Sequence, residues 1–490
     1  MTIVLFSILL CVPLAASAFC GLEKRGLVLE TVTWIANAIT FGASIWLAAA
    51  VLEQTTLSSP QGWFYADALT GLLALIVSGS SLVTALYSIG YLRRLAREQL
   101  ISTREIRMYY RLFNVFVFTM MFVLLSNNLG FLWIGTEATT LGTAFLVALY
   151  DRERSLEAAW KYVIICSVGI ALALFGIMLT YFSALHVVPT TANALNWSTL
   201  VAVSGQLDPA ILKLAFLFVL VGFGTKAGLA PMHTWKPDAY SEAPTPVSAL
   251  MAAGLVNVSL YALMRFHILV HRAVGGAFVS NLFIVFGLLS MGIVIPFVLL
   301  QRDYKRLLAY SSIEHVGIVV FALGIATPLA YFGALLHLLN NAIAKLLIFL
   351  SAGNIRLAYR SKIIRRVSGA ATVVPVSATL FLVGIFAVTG WPPFGLFISE
   401  FTIVSAGFSS GAIWGSVGFL FFVTALFGGF IYYAGRMVLG PVSTTRGTGE
   451  AHVSTLVLLG TLAVALLVLG VWIPAPLRTL LERAVLVFQQ

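Results

Sequence analysis

Charge is scarce in this chain. Of 490 residues, 10% are Asp, Glu, Lys or Arg and 60% are hydrophobic. Apolar runs of about 20 residues recur from one end to the other, as membrane-spanning helices require. Cysteine is nearly absent too: Cys11, Cys20 and Cys166 lie in apolar segments without CxxC or Cys/His ligand spacing. That pattern supports neither an iron–sulfur nor a zinc site, so no cofactor and no metal is expected and any redox centre must sit in another subunit. Long polar stretches are missing as well. The largest, near 90–111, 184–210 and 438–452, are too short for a catalytic domain and hold no Gly-rich phosphate loop or Walker lysine in context. This leaves no case for an ATP-driven pump. No Lys or Arg precedes the first apolar run, TIVLFSILLCVPLAASAF, and Phe19 before Cys20 suits neither cleavage nor lipidation. The run therefore reads as a spanning helix.

What is present is the pattern of an all-α polytopic membrane protein of about fourteen transmembrane helices, with mean hydropathy +1.00. The seventh run, 211–231, is interrupted at Gly228-Leu229-Ala230-Pro231, and the twelfth, 373–407, at Gly390-Trp391-Pro392-Pro393-Phe394-Gly395. Each interruption comes late in a set of five helices, the fourth to eighth and the ninth to thirteenth. Five is odd, so the second set is inverted relative to the first, as in many transporters whose sites lie at helix breaks. The chain divides accordingly into an N-terminal three-helix segment with its basic loop (1–111), a first five-helix repeat (112–267), a second, inverted repeat (281–437) and a C-terminal helix and tail (438–490).

Basic residues test that count. Alternate loops hold Lys24, Arg25, a cluster from Arg93 to Arg111, Arg152, Arg154, Lys236, Arg302, Lys305, Arg306, a cluster from Arg356 to Arg366, Arg436 and Arg446, which is most of the 29 Lys and Arg of the chain. This positive-inside asymmetry predicts both termini on the outer side of a prokaryotic plasma membrane, and makes the net charge of +11 a mark of topology rather than of nucleic-acid binding.

Few ionisable side chains lie well inside spans, and each offsets an insertion cost of roughly 2.5–3.5 kcal/mol. They are Glu137 in the fifth run, Lys226 before the break in the seventh, Lys345 in the eleventh and Glu400 after the break in the twelfth, accompanied by His315 and His337. His337, Asn341 and Lys345 are spaced by four residues and share one helical face, a polar stripe that can hold water. Opposite charges on separate helices suit proton transfer: moving Glu137 toward or away from Lys226 would switch whether the lysine holds its proton. Structural alternatives stand beside each assignment. Lys226 could be a static partner of Glu137, Lys345 could snorkel, Glu400 could cap the second half of the twelfth helix, and His315 could be structural. Glu314 is expected to face the cytoplasmic headgroups, and His267 and His271 to play a local role at the outer boundary.

At these residues the sequence resembles the antiporter-like membrane subunits shared by respiratory complex I, group 4 membrane-bound hydrogenases and Mrp-type sodium/proton antiporters. The resemblance is carried by FGTKAGLAPMHTWKPDAYSEAPTPVSAL (Phe223–Leu250), QRDYKRLLAYSSIEHVG and HLLNNAIAKLLIFLSAGNI. NNLGFLWIGTEATTL, EAAWKYVIICSVGIALALFG and WPPFGLFISEF look most like F subunits of the hydrogenase-4 type. It implies that Glu137 and Lys226 are the pair gating proton uptake, that Lys345 and Glu400 match charged positions of the second half, and that Asn257 and Asn341 stand where some relatives have a lysine and a histidine. The implied function is a proton-translocating subunit of a redox-driven complex. Its implied partners are other membrane-arm subunits and a peripheral nickel–iron, iron–sulfur or dehydrogenase module. The alternatives are a secondary Na⁺/H⁺ antiporter subunit and a membrane scaffold for a soluble enzyme.

Overall fold

The computed structural model describes residues 2–188, 193–442 and 449–489, so Arg446 of the basic set lies outside the described residues. The helices are α1 (Thr2–Leu22), α2 (Gly26–Gln54), α3 (Ala68–Arg97), α4 (Thr103–Leu125), α5 (Leu129–Val147), α6 (Glu153–Ala184), α7 (Trp197–Ala202), α8 (Pro209–Ala227), α9 (Trp235–Glu242), α10 (Thr245–Leu250), α11 (Val256–Val274), α12 (Gly276–Leu299), α13 (Tyr304–Ile325), α14 (Pro328–Tyr359), α15 (Ala370–Val373), α16 (Pro375–Val388), α17 (Gly395–Ser409), α18 (Ile413–Leu439), α19 (Val453–Val471) and α20 (Ala475–Gln489). A two-residue hairpin pairs Leu57–Ser58 with Tyr65–Ala66.

Among the described residues twelve helices are long and apolar enough to cross a membrane. The fifth run, diluted by four threonines and Glu137, forms α5, and the twelfth is split into α16 and α17. The protein is thus a multi-pass, all-α membrane protein. Local signals set the helix starts. Asp67 accepts from Thr70 N at the head of α3, Ser102 and Glu105 form a reciprocal capping box on α4, and Asp208 with Pro209 opens α8.

Large apolar side chains cover the outside: Trp160, Ile164, Val168 and Phe182 of α6 all face outward. In lipid such a face needs no partner, so close approach between helices rests on small residues. A Cβ on Gly222 would fall 2.5 Å from Ala173, and one on Gly287 2.6 Å from the backbone of Phe321, so these glycines let α8 lie on α6 and α12 on α13. The segment from α10 through α11, with α13 and α14, is almost wholly enclosed. A buried fork ties α11 to the start of α3: Arg265 donates to both oxygens of Asp67 at 2.6 and 2.8 Å beneath the rings of Trp197 and Tyr261.

Four features depart from the sequence reading. The seventh run ends at Ala227, and the chain turns back into a second half-helix, α9. Lys236, assigned to a basic loop, is therefore fully buried, because α9 returns it to the helix break. Lys305 is buried as well, its ammonium donating to the Ala243 carbonyl at 2.6 Å. The C-terminal tail carries α20, an amphipathic helix that lays Leu480, Leu481, Ala484 and Phe488 against α3 and α14.

Candidate functional site

The first break brings three helices together through hydroxyl groups. Ser167 of α6 donates to Glu137 Oε1 at 2.7 Å, and Thr140, three residues along α5, donates to Glu137 Oε2 at 3.4 Å. The Lys226 ammonium donates to Thr140 Oγ1 at 2.7 Å and to the Tyr162 hydroxyl at 2.7 Å. Glu137 and Lys226 therefore do not form a direct ion pair; Thr140 accepts from one and donates to the other. That relay keeps the charges apart while joining them by a continuous line of exchangeable protons. Lys226 is fully buried and Glu137 partly so.

Lys226 sits at the end of α8 because Gly228 takes a left-handed conformation, φ +80°, that stops the helix. The Ala230–Pro231 bond is cis. α9 then starts at Trp235, whose indole donates to the Thr225 carbonyl at 2.9 Å and whose ring lies 4.7 Å from that of Tyr162. Beside α9 a cavity of about 470 Å³ opens between the first half and the loops that lead into α13 and follow α14. Its wall is an ion-pair network: Asp238 with Lys161 and Arg306 at 3.3 and 2.5 Å, and Lys362 with Glu242 and Asp303 at 2.6 and 3.3 Å.

In the second half, Lys345 donates to Ser311 of α13 at 2.6 Å. Glu314, one turn beyond Ser311 on α13, is buried. The expectation that Glu314 faces headgroups is overturned, because α13 is enclosed on nearly every side. The next residue begins a second line. His315 Nδ1 lies 2.8 Å from His337 Nε2, and His337 Nδ1 lies 3.0 Å from Ser399 Oγ, which itself donates to the Leu396 carbonyl at 2.8 Å. With the Ser399 proton committed to that carbonyl, His337 carries its proton on Nδ1 and accepts from His315 Nδ1–H. Among the described residues His315 Nε2 has no hydrogen-bond partner of good geometry, and the ring lies beside the Val388 backbone. A proton can shift between the two rings, and the Glu400 carboxylate lies within 4.8 Å of a nitrogen of each.

Glu400 does not cap α17. It is the sixth residue of that half-helix, buried, with its carboxylate over Gly390, which is left-handed at φ +66°. A Cβ on Gly390 would strike that carboxylate. His315, His337 and Glu400 each place one donor atom within 4.8 Å of the others, a nitrogen and carboxylate set that could hold a cation such as Zn²⁺. In the structure the two rings are instead paired with each other.

Between the halves, α10 and the π-turn Met251–Leu255 lie against α14. π-turns inside helices recur at functional sites. Asn257, just after it, donates to the Ala253 carbonyl at 2.7 Å, while its Oδ1 is buried without a partner among the described residues, as are Asn341 Oδ1, both side-chain polar atoms of Asn340, Tyr240 OH and Thr245 Oγ1. Leaving such an atom unsolvated costs about 1–3 kcal/mol, and polar atoms in this situation are ordinarily hydrated. His267 is also buried, 3.0 Å from Tyr331 OH and 6.0 Å from the ring of Phe488.

Residues 126–428 match the family model described as NADH:quinone oxidoreductase/Mrp antiporter, transmembrane. The chain is 39% identical over 350 residues to the hydrogenase-4 component F homolog of Methylacidiphilum infernorum, covering 71% of this chain and 74% of that protein. Among solved structures, a chain of the archaeal membrane-bound sulfane sulfur reductase superposes with a TM-score of 0.88 at 22% identity, over 100% of this chain and 98% of that one. A chain of the Mrp complex from Dietzia superposes at 0.84 with 17% identity, over 98% of this chain and 97% of that one. Both likenesses are of fold.

Proposed function

We propose, from the premise that the chain belongs to the NADH:quinone oxidoreductase/Mrp antiporter transmembrane family, that it moves protons across the membrane as a subunit of a larger, redox-driven complex. Its relatives and structural neighbours are membrane subunits of multisubunit respiratory complexes. The observation that carries the reading is the hydroxyl relay, in which Thr140 joins the Glu137 carboxylate to the Lys226 ammonium without letting them collapse into an ion pair. A static pair locking two helices would be in direct contact, since in a low-dielectric interior direct contact gives the largest attraction.

In this reading Glu137, Lys226, Lys345, His315, His337 and Glu400 hold protons in turn, and Glu314 joins them as the carboxylate opposite Lys345. Each five-helix repeat, 112–267 and 281–437, supplies one half of the path, and the orphaned amides between them keep it hydrated. The driving force is external: a change in a neighbouring subunit alters the separation of Glu137 and Lys226. A nickel–iron or dehydrogenase module of the hydrogenase-like kind fits as the source, and the remaining basic loops favour a prokaryotic plasma membrane with both termini on its outer side. A lysine-centred path favours protons over Na⁺, because an ammonium repels a metal cation.

The test uses the native complex reconstituted in vesicles. Glu137→Gln and Lys226→Ala are expected to lower proton translocation per turnover at least tenfold while the complex still assembles. Unchanged translocation with intact assembly would leave a scaffold role as the better reading.

A further inference from the structure

The two halves end in lysines on different helices, Lys226 on α8 and Lys345 on α14, and a proton must cross from one to the other. The amides between them, Asn257 and Asn341, do not titrate. Lys236 does, and it stands at the crossing. Its side chain is fully buried, and its ammonium donates to the carbonyl of Ala227, the residue after Lys226, at 2.6 Å. The ammonium lies 5.8 Å from the ring of Tyr240, which in turn lies 5.9 Å from that of Phe349, one turn beyond Lys345 on α14. The Tyr240 hydroxyl on α9 and Thr245 Oγ1 at the start of α10 are buried without hydrogen-bond partners among the described residues.

On the proton-path reading given above, we propose that Lys236 is the proton carrier that joins the two halves. As a free amine it takes a proton relayed from the Lys226 ammonium, so that one N–H bond breaks as another forms, and it then gives the proton through water to the Lys345 amine. The Ala227 carbonyl holds it in place. This carbonyl belongs to the end of α8, where the aligned peptide dipoles are negative and favour a cation. Gly228 leaves room for the arrangement: a Cβ there would meet Lys236 Cδ and Nζ at 2.7 and 2.8 Å.

A purely structural lysine would do no more than satisfy that carbonyl, and Arg or Gln could donate in its place. Arg does not release its proton, and the Gln amide donates a hydrogen bond but does not titrate. The native complex carrying Lys236→Arg or Lys236→Gln is therefore compared in proteoliposomes with the wild type and with Glu137→Gln. The proposal predicts that both Lys236 variants assemble and that both lose proton translocation at least tenfold. If either variant translocates at the wild-type rate while Glu137→Gln does not, Lys236 is only a cap, and the proton-path reading survives without it. If Glu137→Gln also translocates normally, the path itself is wrong. Failure of both Lys236 variants to assemble would make the lysine an anchor of the break and overturn the proposal.

Discussion

The break between α8 and α9 and the break between α16 and α17 are built from one sequence pattern, Gly-x-x-Pro: Gly228 to Pro231 and Gly390 to Pro393. In both, the glycine adopts a left-handed φ, the proline follows a cis bond, and a second half-helix starts a few residues later. They differ in what lies over the glycine. At Gly228 it is the tail of Lys236; at Gly390 it is the carboxylate of Glu400. The breaks therefore share a backbone and carry opposite charges. The lesson is that the interruption supplies polarity and room, while the side chain facing the glycine sets the sign of the charge held there.

The two halves also differ in their hydroxyl groups. Around Lys226 a threonine and a tyrosine from two other helices receive the ammonium, and a carboxylate stands behind the threonine. Around Lys345 one serine receives it, and a histidine pair continues toward Glu400. The first half has the form of a switch, with its charges one hydroxyl apart; the second has the form of a wire.

Substitutions at the glycines would break this comparison most sharply. Gly390→Ala forces an L residue into a left-handed conformation, at about 1–2 kcal/mol, and drives a methyl group into a buried carboxylate. Gly228→Ala carries the same backbone cost but meets the flexible end of a lysine. Gly390→Ala is expected to cut proton translocation tenfold or more and Gly228→Ala only several-fold, as measured by pH-sensitive dye in vesicles. Equal effects would show that the facing charge is irrelevant. Thr140→Val comes next, because it removes the bridge and keeps its shape. Translocation should fall roughly five- to tenfold with little change in thermal stability, whereas a structural role would lower the unfolding temperature instead. Ser311→Ala, which removes one hydrogen bond to a charged group, worth about 1.5–3 kcal/mol, is expected to slow translocation about threefold. The smallest effect is predicted for Ser399→Ala. It frees His337 Nδ1 from its anchor, a bond worth about 1 kcal/mol, and should slow translocation no more than twofold.

Much of the architecture is legible in the sequence. Lengths of apolar runs, scarce charge and Gly-x-x-Pro interruptions point to a multi-pass helical protein with broken helices, and all six ionisable residues chosen on the ground that buried charge is costly lie in helices of the fold. Lys236 and Lys305 stand beside loops, where position along the chain predicts exposure, and Glu314 follows a basic loop by about two turns; the return of α9 and the enclosure of α13 bury all three, and neither is a local property. α20 went unread because a short amphipathic helix after the last long apolar run has no spanning signal. The π-turn at Met251–Leu255 leaves no mark in an apolar sequence. Hydroxyl groups are too common in these spans for Thr140 or Ser311 to stand out; only contact with a lysine distinguishes them.

The central claim is that one continuous polar thread carries protons through both halves. Lys345→Met tests it most directly, since it leaves the first half untouched and removes the charge at which the second begins. With the purified native complex in sealed vesicles, proton translocation is measured against turnover of the driving reaction. The account predicts that turnover persists, or slows in step, while protons moved per turnover by this subunit fall to background. Wild-type proton movement in that variant, with the complex fully assembled, would contradict it.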